Sequence, residues 1–102
     1  MIELPSVTPA SFRQYLMTHK DRVYRYVIRE INNAIDMNLS VIQLFQIGKS
    51  KEILELKKYN YRVILEAAMD FFVTEELYED AAICRDLIFK LKDEEKKGTN
   101  ND

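Results

Sequence analysis

The fold class depends on one stretch, Asn38-Leu39-Ser40-Val41-Ile42-Gln43-Leu44-Phe45-Gln46-Ile47, because it is the segment whose periodicity is ambiguous. A strand requires apolar and polar residues to alternate, and residues 41–45 break that alternation. Apolar residues at helical spacing instead continue from the preceding segment, at Ile31, Ile35, Leu39, Ile42 and Phe45. The pattern therefore predicts one helix over residues 21–47, with a kink near Asn38 as the alternative.

The residues before this helix predict an extended lead and one short helix. Pro5 and Pro9 bias the residues before them away from helical angles, so residues 1–7 are expected to be extended. Thr8 is a suitable N-cap, and Pro9 fits the first helical position because its missing N–H is not needed there. We expect this helix to end near Thr18.

The residues after the stretch predict two more helices. Gly48 is placed to end the long helix in a left-handed conformation, and Ser50 is a suitable N-cap for a third helix ending near Val73. After a tight connection, a last helix is expected from Tyr78 to about Glu95. The prediction is an all-α fold: a small helical bundle with a short N-terminal helix and three longer ones, the last two forming a hairpin. Residues 1–97 are expected to form a single helical domain, and residues 98–102 a frayed polar tail.

Composition supports this fold class and narrows the range of functions. The chain has 102 residues with only two glycines and two prolines, too few for the many tight turns of an all-β fold. A net charge of −2 gives no general attraction to nucleic acid or to an anionic membrane. No stretch approaches the ~20 apolar residues that cross a bilayer. We therefore expect a cytoplasmic protein without membrane contact.

Residues suited to catalysis or metal binding are scarce. The chain has one cysteine, Cys84, and one histidine, His19, which excludes an internal disulfide and a cysteine–histidine zinc cluster. Cys84 lies on an apolar helix face, where an unreactive buried thiol is the expected state. Glycine-rich phosphate loops are absent from the sequence. The sequence therefore predicts no enzyme activity, no cofactor and no metal site.

A basic and aromatic cluster lies near the start of the long helix. Arg22, Arg25 and Arg29 recur at spacings of three and four with Tyr26 beside them, so a nucleic acid or nucleotide phosphate could bind there. Two other interpretations stay open. The cluster is a solvated face with weak surface ion pairs, or it contacts an acidic surface within or between chains.

The most specific motif is Tyr78-Glu79-Asp80-Ala81-Ala82-Ile83-Cys84-Arg85-Asp86-Leu87-Ile88-Phe89-Lys90-Leu91. With Met69 in the preceding helix, it resembles the UVR motif, a small helical hairpin of UvrB, UvrC and McsA-like adaptors. The resemblance implies a hairpin that pairs with another copy or with a related hairpin. The contact residues that it and the helix pattern assign are Tyr78, Ala81, Ala82, Arg85, Asp86 and Phe89.

The predicted function is that of a small adaptor, regulator or inhibitor that binds another protein through this hairpin. The alternative is nucleic-acid or nucleotide binding by the basic face. Large apolar residues occur on more sides of the helices than one core can use, which predicts a homo-oligomer. They are Tyr24, Tyr26, Phe45, Phe72, Ile83 and Phe89.

Overall fold

A computed structural model of the chain describes residues 1–5, 7–49 and 52–99. Within these residues the chain forms four α-helices and one three-stranded mixed sheet. In chain order the elements are β1 (Ile2–Leu4), α1 (Pro9–Thr18), α2 (Lys20–Asp36), β2 (Val41–Ile47), β3 (Glu52–Lys57), a 3₁₀ turn (Lys58–Asn60), α3 (Tyr61–Thr74) and α4 (Tyr78–Thr99). The predicted all-α bundle is therefore wrong, because Val41–Ile47 and Glu52–Lys57 form a pair of strands rather than helix.

The start of α1 confirms the prediction made from Thr8 and Pro9. The Thr8 side chain accepts a hydrogen bond from the Ser11 N–H at 3.2 Å, and the Thr8 N–H donates to the Ser11 hydroxyl at 3.0 Å. This reciprocal pair satisfies two backbone donors that a helix start would otherwise leave open. The helix ends at Thr18, as expected.

The predicted long helix ends at Asp36 because Asn38 takes a left-handed conformation with φ 54°. The Asn38 N–H donates to the Ile35 carbonyl at 3.1 Å, and the Leu39 N–H donates to the Ala34 carbonyl at 2.8 Å. This pair of bonds is a Schellman motif, which satisfies the last carbonyls of a helix. Asparagine tolerates the left-handed region better than most residues. The prediction of one helix over residues 21–47 is wrong for this reason, and the kink considered at Asn38 is a complete stop.

The segment judged too irregular for a strand is β2, and a β-bulge explains the irregularity. Val41 and Gln43 are exposed while Ile42 and Leu44 are buried, which is strand alternation. The register with β3 then shifts between Gln43 and Phe45, so Phe45 is also buried. A bulge adds one residue to one strand and lets two consecutive residues share a face.

The first half of the predicted third helix is also a strand. Glu52–Lys57 pairs antiparallel with β2, and Ile53 is 43% exposed. The helix itself begins at Tyr61. Gly48 does have the expected positive φ, 72°, but it follows a strand instead of ending a helix. The N-cap predicted at Ser50 lies outside the described residues.

Residues Met1–Lys58 form one compact unit built on the sheet. The strand order is β1-β2-β3, with β1 parallel and β3 antiparallel to β2. Phe45 at the centre of β2 contacts both helices: its ring lies 5.0 Å from the Phe12 ring of α1 and 5.3 Å from the Tyr26 ring of α2. The Tyr26 hydroxyl donates to the Leu44 carbonyl at 2.7 Å. These contacts attach α1 and α2 to the sheet.

Residues Tyr59–Asp102 form the second compact unit, in which α3 and α4 pack as the predicted hairpin. The division into two units leaves the single domain predicted for residues 1–97 a prediction, although its all-helical character is wrong. Helix α4 continues through Gly98 to Thr99, and the rest of the predicted tail lies outside the described residues. The buried side chains of this unit are Tyr61, Leu65, Ala68, Phe72, Ala81, Cys84, Leu87, Ile88 and Leu91.

The connection between α3 and α4 is a second Schellman motif. The Leu77 N–H donates to the Phe72 carbonyl at 2.7 Å, and the Glu76 N–H donates to the Val73 carbonyl at 3.1 Å. Glu76 has φ 61°, a conformation that is unfavourable for a residue with a Cβ atom. The hairpin therefore forms without glycine but with local backbone strain.

Replacing Glu76 with glycine is expected to raise the free energy of unfolding by about 0.5–1 kcal/mol. Glycine removes a left-handed cost of about 1–2 kcal/mol, and its greater freedom in the unfolded chain offsets part of that gain. Chemical denaturation followed by circular dichroism measures the change. The neighbouring Glu75→Gly is the matched control: φ is −86° there, so glycine should destabilise. Equal effects of the two substitutions would contradict the strain at Glu76.

Candidate functional site

Four of the predicted contact residues lie along one side of α4, and we call them the contact face: Tyr78, Ala82, Arg85 and Phe89. Their spacings of four, three and four place them on one side of a helix with 3.6 residues per turn. Tyr78 is 63% exposed and Phe89 is 56% exposed, while Arg85 is exposed and Ala82 half-buried. The helix thus presents two large aromatic side chains and a guanidinium to the surface.

The other two predicted contact residues lie elsewhere on α4. Ala81 is buried with Cys84 and Ile88, so it belongs to the packed side of the helix. Asp86 is exposed and accepts hydrogen bonds from the Arg85 guanidinium at 3.3 Å. The two adjacent alanines therefore differ: Ala81 packs inside, and Ala82 is half-buried.

A groove runs beside the contact face between α3 and α4. Met69 and Ile88 contribute apolar side chains, and Phe89 lines it from the contact face. The remaining lining residues are charged and differ in sign between the helices: Glu66 and Asp70 on α3, Arg85 and Lys92 on α4. We call these the acidic wall and the basic wall.

The wall charges are held by local contacts on the surface. The Arg62 guanidinium donates to Glu66 at 3.0 Å, and the Lys92 ammonium lies 5.9 Å from the centre of the Phe89 ring. Side chains in the Arg62–Glu66 pair are nearly half exposed, and exposed pairs of this kind contribute under ~1 kcal/mol. A partner can therefore replace these contacts at small cost.

The acidic wall is the part of the site that the sequence did not predict. Recognising the walls requires knowing which sides of α3 and α4 meet. One signal was available in the sequence. Spacings of four, three and four residues separate Arg62, Glu66, Met69 and Val73 on α3, and the contact face of α4 has the same spacings.

The basic cluster lies on α2, and two of its three arginines have local contacts. Arg22, Arg25 and Arg29 are exposed. Arg25 forms a surface ion pair with Asp21, with 3.5 Å between the guanidinium and the carboxylate. Arg29 lies over the Tyr26 ring, 5.7 Å from its centre.

Tyr26 of the same cluster has a structural role. Its hydroxyl donates to a β2 carbonyl and its ring packs on Phe45, so the ring is not free to stack on a base. Burial raises the pKa of this phenol, and the nearby Glu30 raises it further. The aromatic half of the predicted polyanion site therefore belongs to the sheet–helix core.

The thiol of Cys84 lies where it cannot react readily. Cys84 is fully buried, and burial together with Asp80 raises the pKa of its thiol to about 11. Its thiolate fraction at neutral pH is accordingly very small. The His19 ring stacks on Tyr15 at 4.4 Å, at the junction of α1 and α2.

The described part of the chain contains neither a cluster of metal-ligating side chains nor a membrane-spanning helix. Among those residues, no three histidine, cysteine, aspartate or glutamate side chains converge as they would around a metal ion. In the same residues, none of the helices combines the length and apolar character needed to cross a bilayer.

Comparison of the chain with protein-family models, with curated proteins and with solved structures finds no match. The resemblance of residues 69–91 to the UVR motif accordingly stays a prediction.

Proposed function

We propose that this protein is a non-enzymatic interaction protein, an adaptor or small regulator, that binds another protein through the contact face of α4 and the adjoining groove. The observation that carries the proposal is the exposure of Tyr78 and Phe89 in line with Arg85 on one helix face. Tyrosine and arginine are enriched among the residues that dominate binding energy at protein interfaces.

The apolar part of the face supplies the affinity. Phe89 is more than half exposed, and the apolar side chains of Met69 and Ile88 lie beside it in the groove. Burying an exposed phenylalanine side chain contributes about 1.5–3 kcal/mol. A partner helix laid along the groove would cover the exposed Phe89 and the half-buried Met69, next to Ile88, which is already buried. This is the usual way in which an amphipathic helix docks.

The charged walls supply orientation. Glu66 and Asp70 require basic groups on one side of a bound helix, and Arg85 and Lys92 require acidic groups on the other. Like charges placed against these walls would be repelled, so the walls select both the partner and its direction. An apolar centre bordered by charged side chains is typical of specific protein interfaces.

The decisive experiment is affinity capture from the native source with the wild-type chain and Phe89→Asp. We expect the substitution to abolish capture, because a carboxylate would replace the largest apolar contact and face the groove. Ile83→Asp is the matched control: Ile83 is 50% exposed on the same helix but lies about a third of a turn away from Phe89. It should capture the same proteins as wild type.

Circular dichroism of both variants checks that helix content is unchanged. Capture of the same proteins by Phe89→Asp and wild type would contradict the proposal. Loss of capture by Ile83→Asp alone would place the interface on another side of α4. Performing the capture at low and moderate salt and identifying bound nucleic acid also tests the alternative function.

Nucleic-acid or nucleotide binding by Arg22, Arg25, Tyr26 and Arg29 stays a prediction, and no structural observation favours it over protein binding. Tyr26 is committed to the core, and Arg25 and Arg29 already have local partners. Three exposed arginines on one helix are a small footprint for a polyanion.

A further inference from the structure

We infer that the open edge of β3 pairs with β3 of a second copy, so that the sheets of two chains join into one continuous sheet. The edge belongs to the unit formed by Met1–Lys58, whereas the contact face of α4 belongs to the other unit. Pairing at this edge therefore goes beyond the proposed function and does not depend on it. It gives the homo-oligomer that the sequence predicts a specific interface.

The backbone of β3 is open on the side away from β2. Among the described residues the strand order is β1-β2-β3, so β3 lies at an edge of the sheet. The Lys58 N–H, directly after β3, donates to the Ser40 carbonyl at 2.8 Å. Because hydrogen-bonded and non-hydrogen-bonded pairs alternate along an antiparallel ladder, Glu55 and Lys57 direct their backbone N–H and C=O groups away from β2. Open backbone groups at a sheet edge are a template for pairing with another strand.

Apolar side chains of this edge are exposed on both faces of the sheet. Leu54 pairs with the buried Phe45 and therefore lies on the face that carries the core, yet it is 42% exposed. Ile53 points to the opposite face, because successive side chains alternate along a strand, and it is 43% exposed. An open edge strand with apolar side chains is a surface on which a further strand is expected to pair.

The charges on the edge select a second copy as the occupant. A two-fold axis perpendicular to the sheet joins two β3 edges as antiparallel strands, with the core face of both sheets on the same side. With the axis at Leu56, the exposed Glu55 of each copy lies opposite the exposed Lys57 of the other. Opposite charges directly across a ladder are favourable and like charges are unfavourable. An axis at Glu55 would instead place two glutamates opposite each other, so the charges also specify the register.

The same register uses the open backbone and covers the exposed leucine. Each Glu55–Lys57 pair between the copies would exchange both of its backbone N–H···O bonds, because both residues direct these groups outward. Leu54 of one copy would lie diagonally beside Leu56 of the other on the core face, a distance that long side chains span. The contact therefore combines main-chain hydrogen bonds, ion pairs and apolar burial.

Proline at the edge tests the backbone pairing. Glu55→Pro removes an N–H that points away from β2, a position at which an edge strand accommodates proline. We expect the dimer dissociation constant, measured by sedimentation equilibrium, to rise about tenfold or more, since each copy loses a hydrogen bond to the other. Glu55→Gln is the matched control: it removes the same charge but keeps the N–H, so it should weaken the dimer less.

Circular dichroism checks that both variants keep the fold. Equal dissociation constants of Glu55→Pro and Glu55→Gln would contradict pairing through the backbone. A monomeric wild-type chain at micromolar concentration would overturn the dimer.

Charge exchange identifies the second copy as the occupant. Glu55→Lys and Lys57→Glu should each raise the dissociation constant about tenfold, because each places like charges opposite each other across the axis. An equimolar mixture of the two variants should recover a dissociation constant close to that of wild type, since every lysine then faces a glutamate. Glu3→Lys, an exposed reversal on the other edge strand, should leave the dissociation constant nearly unchanged. Failure of the mixture to recover dimers would overturn the pairing of β3 with β3.

Cysteine cross-linking tests the register. Glu55→Cys and Lys57→Cys are prepared separately, mixed and treated with a short bismaleimide, and the mixed dimer keeps the second Glu55–Lys57 pair. We expect cross-linked dimers in the mixture and few in either variant alone. The unsubstituted chain gives the background, since Cys84 is buried. Cross-linking of Glu55→Cys with itself, without cross-linking in the mixture, would overturn the register.

Phe89→Asp separates this interface from the contact face. The variant should keep the wild-type dissociation constant, because Phe89 lies on α4 and not on β3. Loss of the dimer in Phe89→Asp, together with a normal dimer in Glu55→Pro, would place the contact between copies on α4 and overturn pairing at β3.

Discussion

Phe45→Ala is expected to lower the free energy of unfolding by about 3–5 kcal/mol, which is the usual cost of removing a buried phenylalanine ring. Phe45 is only 5% exposed, and its ring lies between the rings of Phe12 and Tyr26. The substitution leaves a cavity where α1, α2 and β2 meet. Because small domains are stable by about 5–15 kcal/mol, much of the available stability would be lost.

Denaturant titration of the full chain, followed by far-ultraviolet circular dichroism, measures this loss. Val41→Ala on the same strand is the matched control, because Val41 is exposed and should cost under ~1 kcal/mol. The tyrosine absorption bands in the near-ultraviolet provide a second signal, since the Tyr26 ring packs on Phe45. Similar stabilities of the two variants would show that Phe45 is not the centre of this core.

Sequence reasoning predicted the elements whose determinants are local. The start of α1 follows from Thr8 and Pro9, and the α3–α4 hairpin follows from the apolar spacing that ends at Leu91. The exposed side of α4 was also predictable, because Cys84, Ile88 and Leu91 use another side for packing. In each case the residues that allow the prediction lie close together in the sequence.

The sheet was missed because its determinants are not local. Residues 41–47 satisfy a helical pattern, and strand alternation becomes visible only when the bulge between Gln43 and Phe45 is known. The left-handed conformation of Asn38 ends α2, yet one asparagine does not by itself predict a helix end, because its helix propensity is less than ~1 kcal/mol below that of alanine. Pairing with β1 and β3 then decides between helix and strand, and single-sequence periodicity contains no information on pairing.

The acidic wall could not be predicted for a related reason. Glu66 and Asp70 are ordinary exposed residues of α3 until α4 is packed beside them. Their significance comes from their distance to Arg85 and Lys92 across the groove, which depends on the helix that follows. Charges that define a surface between two elements require the tertiary contact to be known.

Phe72→Ala is expected to cost about 3–5 kcal/mol and to weaken the α3–α4 hairpin. Phe72 is fully buried, and its ring contacts that of Phe71 with 5.4 Å between the centres. Its carbonyl accepts the Leu77 N–H in the motif that joins the helices, so the side chain packs next to the connection. A cavity there should loosen both helices near the turn.

Hydrogen exchange of the Glu76 and Leu77 amides, with denaturant titration, separates this effect from a general loss of stability. We expect both amides to exchange faster in Phe72→Ala than in Val73→Ala, where the neighbouring side chain is exposed and the same motif is kept. Binding supplies the functional consequence: since the contact face depends on the position of α4, Phe72→Ala should also reduce capture of a partner, although Phe72 itself is fully buried. Intact capture together with fast amide exchange would show that α4 alone is sufficient for binding.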